Sequence, residues 1–65
     1  MTILFKKIAT YYIKSNRIFI LENIHTGGYY IRPEDGYIVN PQTPFPYIPS
    51  LSEVKRIMEV ANDYN

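Results

Sequence analysis

The residues that could carry chemistry are few and do not converge on one site. The chain has 65 residues with one histidine, His25, and no cysteine. Zinc and related ions need three or four convergent imidazole, thiolate or carboxylate ligands. Glu22 is the one carboxylate within five residues of His25. His25 is therefore interpreted as a surface residue of a turn, and neither a metal nor any other cofactor is expected.

Nucleophilic and acid–base catalysis have no support in the sequence. Ser15, Ser50 and Ser52 lack the G-x-S-x-G setting that exposes a nucleophilic serine on a sharp turn. Glu34 and Asp35 are adjacent carboxylates, but they stand in a Pro-Glu-Asp-Gly sequence that favours a turn. We therefore expect a protein that is not an enzyme.

Tyrosine is the residue type that stands out, with seven copies. A tyrosine joins a large apolar ring to a polar tip, and it is enriched where proteins contact partners. Tyr11 and Tyr12 are sequence neighbours, as are Tyr29 and Tyr30, so each pair points to opposite faces of a strand. The candidate partner-binding residues are these tyrosines and the nearby cations: Tyr11, Tyr12, Lys14, Arg17, Tyr29, Tyr30 and Arg32. The alternative is that the tyrosines complete a small core and its rim.

The first two thirds of the chain has the pattern of a β-meander. Runs rich in β-branched and aromatic residues, separated by Gly, Pro, Asn and Ser, predict strands at about 8–14, 17–24, 29–32 and 37–40. The Gly27-Gly28 pair and the Pro33–Gly36 segment predict reversals, the second with Gly36 in the left-handed conformation. Whether residues 2–6 extend the first strand or form another one is left open.

A proline-rich connector and one helix follow the strands. Four prolines between residues 41 and 49 remove backbone donors, so this segment should be extended and without ladder pairing. Ser50 and Glu53 match a capping box, which predicts a helix at about 51–62. The apolar side chains of this helix recur at spacings of three and four, which places them on one face: Val54, Ile57, Met58, Ala61 and Tyr64.

These elements predict one small α+β domain over residues 1–65. Its fold is a small antiparallel three- to four-stranded β-meander followed by one C-terminal α-helix packed on one sheet face. In the second strand, Ile18, Ile20 and Ile24 point to one face while Phe19 and Leu21 point to the other, so neither face is expected to be fully exposed to solvent. One short helix covers only one of them, which leaves apolar and tyrosine side chains on the second face.

Charge and hydropathy narrow the partners that we expect. Residues 1–33 carry five Lys and Arg against one Glu, whereas residues 34–65 carry two against five carboxylates, for a net charge of +1. The apolar runs are far shorter than the ~18 residues of a membrane span. An apolar run precedes Lys6 and Lys7, the reverse of a signal peptide's order. We therefore expect a cytoplasmic protein with no membrane partner.

The leading functional hypothesis is a small protein-interaction module that binds a partner protein, or a second copy of itself, through a Tyr-rich sheet face. Its size and its content of Ile, Asn and Tyr are typical of small accessory proteins of phages and mobile elements, which are often inhibitors or adaptors. A pocket for a small ligand is disfavoured, because a core of this size has little room for a cavity of ~300 Å3.

The alternative function is nucleic-acid binding through the basic face of the sheet. In element order alone, a three-stranded antiparallel sheet with a C-terminal helix resembles the arm-site-binding domains of some integrases. That resemblance implies a sheet laid in the major groove of DNA. The basic residues 1–33 favour this hypothesis, and the acidic residues 34–65 oppose it.

Overall fold

Within residues 4–63, the chain forms a three-stranded antiparallel sheet followed by one C-terminal helix. The structure is a computed structural model that describes the backbone of residues 4–63 and the side chains of residues 4–60. The elements are β1 (Phe5–Ile13), β2 (Asn16–Asn23), β3 (Tyr29–Pro33) and α1 (Leu51–Asp63). The strand order is β1-β2-β3, which is a meander. The expected small α+β class is confirmed.

A tight turn joins β1 to β2. Lys14 and Ser15 are its two central residues, with φ of 50° and 69°. Positive φ at both positions is the signature of a type I′ turn, whose twist matches that of the flanking strands. The strand predicted at 17–24 consequently begins one residue earlier, at Asn16. Residues 5–7 belong to β1, which settles part of the open question about the N-terminal segment.

The register divides the side chains of the sheet between two faces. Ile20 lies between Ala9 of β1 and Ile31 of β3, and Ile18 lies between Tyr11 and Pro33. Ile18, Ile20 and Ile31 are buried, and we call their side of the sheet the core face. A bulge between Lys7 and Ala9 shifts the register of β1, and Ile8 still packs against the buried cluster.

The predicted turn after β3 is present, but the predicted strand at residues 37–40 is wrong within the part of the chain that the structure describes. Gly36 donates to the carbonyl of Pro33 at 3.2 Å and closes the turn, without adopting positive φ. Val39 donates to Ile31 at 2.9 Å. The next contact comes from a side chain, since the Asn40 Oδ1 accepts from the Ile31 N–H at 2.9 Å. A side-chain amide thus replaces the backbone of a fourth strand.

The proline-rich connector makes more backbone hydrogen bonds to the sheet than expected. Phe45 stands between Pro44 and Pro46 and keeps its own N–H, with which it donates to the Tyr29 carbonyl at 2.9 Å. The Tyr29 N–H donates back to the Phe45 carbonyl at 2.9 Å, so one antiparallel bridge forms. The expectation that this segment lacks ladder pairing is therefore wrong at Phe45. Nearby, Gly28 is required for space, because a Cβ there would lie 2.8 Å from the Pro44 Cβ.

The predicted capping box begins the helix. Glu53 N–H donates to the Ser50 Oγ at 3.3 Å, and Ser50 N–H donates to a Glu53 carboxylate oxygen at 3.4 Å. Val54 belongs to the same buried cluster as the three core-face isoleucines, and Ile57 and Met58 pack against that cluster. The expected stripe continues to Ala61 and Tyr64, whose side chains lie outside the described residues. Within residues 4–63, no helix has the length and apolar character to cross a membrane.

Candidate aromatic face

The sheet has a second face that is rich in aromatic and basic side chains. Alternation along each strand places these residues opposite the core face, and the cross-strand pairs agree: Arg17 lies across from Tyr12, Phe19 from Arg32, and Leu21 from both Lys7 and Tyr30. We call this surface the aromatic face. Its members are Phe5, Lys7, Thr10, Tyr12, Arg17, Phe19, Leu21, Tyr30 and Arg32.

Aromatic contacts order the middle of this face. The Phe5 and Tyr30 rings meet edge to face, with centroids 5.3 Å apart and planes at 88°. The Lys7 Nζ lies 4.5 Å from the centroid of Phe19, and the Arg32 guanidinium carbon lies 5.4 Å from the same centroid. Phe19, Leu21 and Tyr30 are each half-buried. Such contacts hold the apolar rings at defined positions while part of their surface stays accessible.

Two of the three cations on the aromatic face also contact oxygen acceptors within the chain. The Arg32 Nη1 donates to the carbonyls of Pro33, Glu34 and Gly36 at 3.2, 3.4 and 3.3 Å, so Arg32 holds the turn after β3. The Arg17 Nε lies 3.5 Å from a Glu34 carboxylate oxygen. Both groups therefore already have acceptors, which a phosphate would have to replace.

The structure brings together four of the seven predicted partner-binding residues. Tyr12, Arg17, Tyr30 and Arg32 lie on the aromatic face, and Tyr12 is 68% exposed. Lys14 lies outside it, exposed in the β1–β2 turn.

The other two predicted residues, Tyr11 and Tyr29, belong to the core face. The Tyr11 hydroxyl donates to the Pro49 carbonyl at 2.8 Å and thereby ties the connector to the sheet. The Tyr29 hydroxyl donates to a Glu22 carboxylate oxygen at 3.3 Å, and its ring packs against the buried cluster. For this pair, the alternative reading of tyrosines that complete a core is the better description.

Sequence reasoning missed Phe5, Lys7, Phe19 and Leu21 as members of the candidate site. The alternation of Ile18 to Leu21 already placed Phe19 and Leu21 on the second face, so a signal for these two existed. Phe5 and Lys7 had no such signal, because the bulge after Lys7 changes which residues of β1 share a face. Without that register shift, Lys7 would share a face with Tyr11.

Two tyrosine hydroxyls outside the aromatic face, those of Tyr29 and Tyr47, have a raised pKa. Partial burial raises the pKa of Tyr29, and the charge of Glu22 and the hydrogen bond to it add to the effect. The Tyr47 hydroxyl donates to a Glu53 carboxylate oxygen at 2.9 Å, and this bond raises the pKa of Tyr47. Both hydroxyls are therefore protonated at neutral pH and act as hydrogen-bond donors to a carboxylate.

Clefts lie where α1 meets the ends of the strands. One, of about 280 Å3, lies between Arg17, the Pro33–Gly36 turn and Met58. Another, of about 140 Å3, lies between Tyr12, Lys14, Leu51 and Lys55. His25 is exposed in the turn after β2, as expected. Among the residues described, no three His, Asp or Glu side chains lie close enough together to hold a metal ion.

A comparison of the chain with protein-family models, with curated proteins and with solved structures found no match. The aromatic face therefore rests on its own geometry as the candidate site.

Proposed function

We propose that this protein is a non-enzymatic interaction module that acts in the cytoplasm and binds a partner protein through the aromatic face. In this proposal α1 covers the core face, and the opposite face stays available for the partner. In this proposal the protein acts on its partner as an inhibitor or as an adaptor. The alternative protein partner for this face is a second copy of the chain.

The observation that carries the proposal is the cluster formed by exposed Phe5 and half-buried Phe19, Leu21 and Tyr30 on the side of the sheet away from the core. Anchors of protein interfaces are commonly aromatic side chains held in place before the partner arrives, surrounded by a polar rim. Here the ring contacts fix the anchors, and Thr10, Tyr12 and the cations form the rim.

The engagement of the arginines favours a protein over a nucleic acid. Binding to nucleic acid draws most of its affinity from cations that neutralise phosphates. On the aromatic face, Arg32 donates to three carbonyls and Arg17 faces Glu34. A phosphate would have to compete with these acceptors, whereas a protein can leave both contacts in place. Because the face is basic, the experiment must distinguish a nucleic-acid partner from a protein partner.

The test compares Tyr30→Ala with Arg32→Ala in capture experiments from a host lysate with and without nuclease treatment, followed by binding measurements with the purified partner at low and high salt. Loss of an anchor tyrosine should weaken binding by more than ~2 kcal/mol, and loss of a rim cation should change it modestly. Tyr37→Ala is the matched control, because Tyr37 is 92% exposed and lies outside the face.

Nucleic-acid binding predicts a different result. Affinity should then fall with salt with a log–log slope of about −3 or steeper, and Arg32→Ala should lessen that slope. That outcome, or binding that is indifferent to Tyr30→Ala, would contradict the proposal. Light scattering over a range of concentrations measures the molecular mass and so distinguishes self-association from binding to a different protein.

A further inference from the structure

We propose that the outer edge of β1 binds an extended acidic segment of another protein as an additional strand of the sheet. This inference concerns the edge of the sheet and does not depend on what binds the aromatic face. It rests on the hydrogen-bonding state of the two edge strands, on the charges along β1, and on an exposed apolar cleft at one end of that strand.

The two edges of the sheet differ in their backbone pairing. The outer edge of β3 is occupied by the chain itself, through the Tyr29–Phe45 bridge, the Val39 N–H and the side chain of Asn40. Within the described residues, β1 pairs with β2 alone. Nine residues long, it presents the longer edge, and a strand edge is a template for another extended chain.

The hairpin geometry identifies which backbone N–H and C=O groups of β1 point to its outer edge. In a two-residue type I′ hairpin, the pair that flanks the turn exchanges both hydrogen bonds, and here that pair is Ile13 and Asn16. Hydrogen-bonded residues alternate along an antiparallel ladder, so Tyr11 also points its backbone groups toward β2. Thr10 and Tyr12 therefore direct their N–H and C=O groups outward.

The charges along β1 select an acidic segment. Lys6 and Lys7 lie near one end of the strand, and Lys14 follows the other end, while β1 itself has no carboxylate. Lys55 lines the same cleft as Lys14. Both lysines also line a smaller cleft, of about 70 Å3, which Glu59 lines as well. A second copy of β1 would bring further lysines to this edge, which is a known obstacle to edge pairing. A segment with carboxylates at its two ends would instead meet a cation at each end.

The cleft beside the end of β1 offers apolar contacts to such a segment. Tyr12 and Leu51 both line it and are 68% and 48% exposed. A cleft of about 140 Å3 accommodates one side chain of an added strand and not a larger ligand. The ladder of hydrogen bonds and the cleft together favour a strand with an apolar residue near the end that meets Lys14.

The experiment titrates the isotope-labelled protein with a seven-residue peptide that has glutamate at both ends and alternating valine and threonine between them. The amides of Thr10 and Tyr12 should shift in the nuclear magnetic resonance spectrum. The same peptide with lysine at both ends should bind about tenfold more weakly, since attraction becomes repulsion at two positions. A version with alternate amides N-methylated should not bind, because it cannot form the ladder.

A variant of the protein tests the charge argument from the other side. Lys14→Glu combined with Lys55→Glu changes exposed side chains and should abolish the preference for the acidic peptide, because this end of β1 then repels glutamate while Lys6 and Lys7 at the other end still attract it. Three results would overturn the proposal: equal binding of the acidic and basic peptides to the unaltered protein, undiminished binding of the methylated peptide, or shifts at Phe19, Leu21 and Tyr30 without shifts at Thr10 and Tyr12. So would the absence of any shift with the acidic peptide at millimolar concentration.

Discussion

Asn40 shows how one side chain replaces an element of backbone structure. It is 7% exposed, and its amide makes three hydrogen bonds: Oδ1 accepts from Ile31, and Nδ2 donates to the carbonyls of Tyr29 and Thr43. The oxygen and the nitrogen of the amide both join β3 to the segment that follows it. Because buried polar groups must be paired, this residue fixes the path of the chain beyond the Pro33–Gly36 turn.

Asn40→Ala should lower the free energy of unfolding by about 1–3 kcal/mol, because the buried Ile31 N–H loses its acceptor. Urea unfolding measured by circular dichroism checks this value. Gln42→Ala is the control, since Gln42 is an exposed amide two residues away. Equal stability of the two variants would show that water satisfies the Ile31 N–H as well as Asn40 does.

The pKa shifts of Tyr29 and Tyr47 predict a loss of stability in alkali. A raised pKa in the folded state means that folding favours the protonated hydroxyl. The stabilising contribution is therefore complete below the ordinary tyrosine pKa of 10.0 and is lost as the pH rises through the folded-state pKa. We expect the unfolding free energy to decline above about pH 10, and the decline to be shallower in the double variant Tyr29→Phe, Tyr47→Phe. Urea titrations over this pH range measure both, and identical declines would contradict the prediction.

At the scale of elements, the β1–β2 hairpin carries a conformational cost. Lys14 and Ser15 both have positive φ, a region that side chains with a Cβ disfavour by about 1–2 kcal/mol per residue. The cross-strand pairs of β1 and β2, from Phe5–Asn23 to Ile13–Asn16, offset this cost and hold the register. The turn is therefore dictated by the strands that it joins more than by its own residues.

Ser15→Gly should stabilise the protein by about 1 kcal/mol, because glycine adopts the required φ without a steric penalty. The change should appear as a higher urea midpoint with an unchanged slope. Ser15→Ala serves as the matched control, since alanine keeps the Cβ and should bring no gain. A gain of the same size for alanine would indicate that loss of the serine hydroxyl, and not φ, is responsible.

At the scale of the whole molecule, one small cluster joins the sheet to the rest of the chain. Ile18, Ile20, Ile31 and Val54 are its buried members, and they come from β2, β3 and α1. A domain of this size has few residues with which to compensate for a damaged core. Within the described residues, Val54 is therefore the buried side chain through which α1 joins this cluster.

Val54→Asp should unfold the protein or cost several kcal/mol, since it places a carboxylate among buried isoleucines. Val60→Asp is the matched control, because Val60 is on the same helix and 51% exposed, whereas Val54 is fully buried. Thermal unfolding of both variants measures the difference. A cooperative Val54→Asp protein as stable as Val60→Asp would show that α1 does not cover the core face.

The sequence by itself determined the features that local physics controls. The polarity pattern predicted the first three strands, and Ser50 and Glu53 predicted the start of α1, because turn chemistry and helix capping act over a few residues. It also predicted that Phe19 and Leu21 lie on the face opposite Ile18 and Ile20 and that adjacent tyrosines divide between faces. Each of these inferences needs only the period of one element.

Tertiary structure alone decided which side chains share a surface. The bulge after Lys7 brings Phe5 and Lys7 onto the aromatic face, and it depends on how β1 pairs with β2. Residues 37–40 read as a strand, but Asn40 satisfies the edge of β3 with its side chain, and Phe45 adds the next pair. Such choices depend on contacts between residues distant in sequence, and no local pattern contains them.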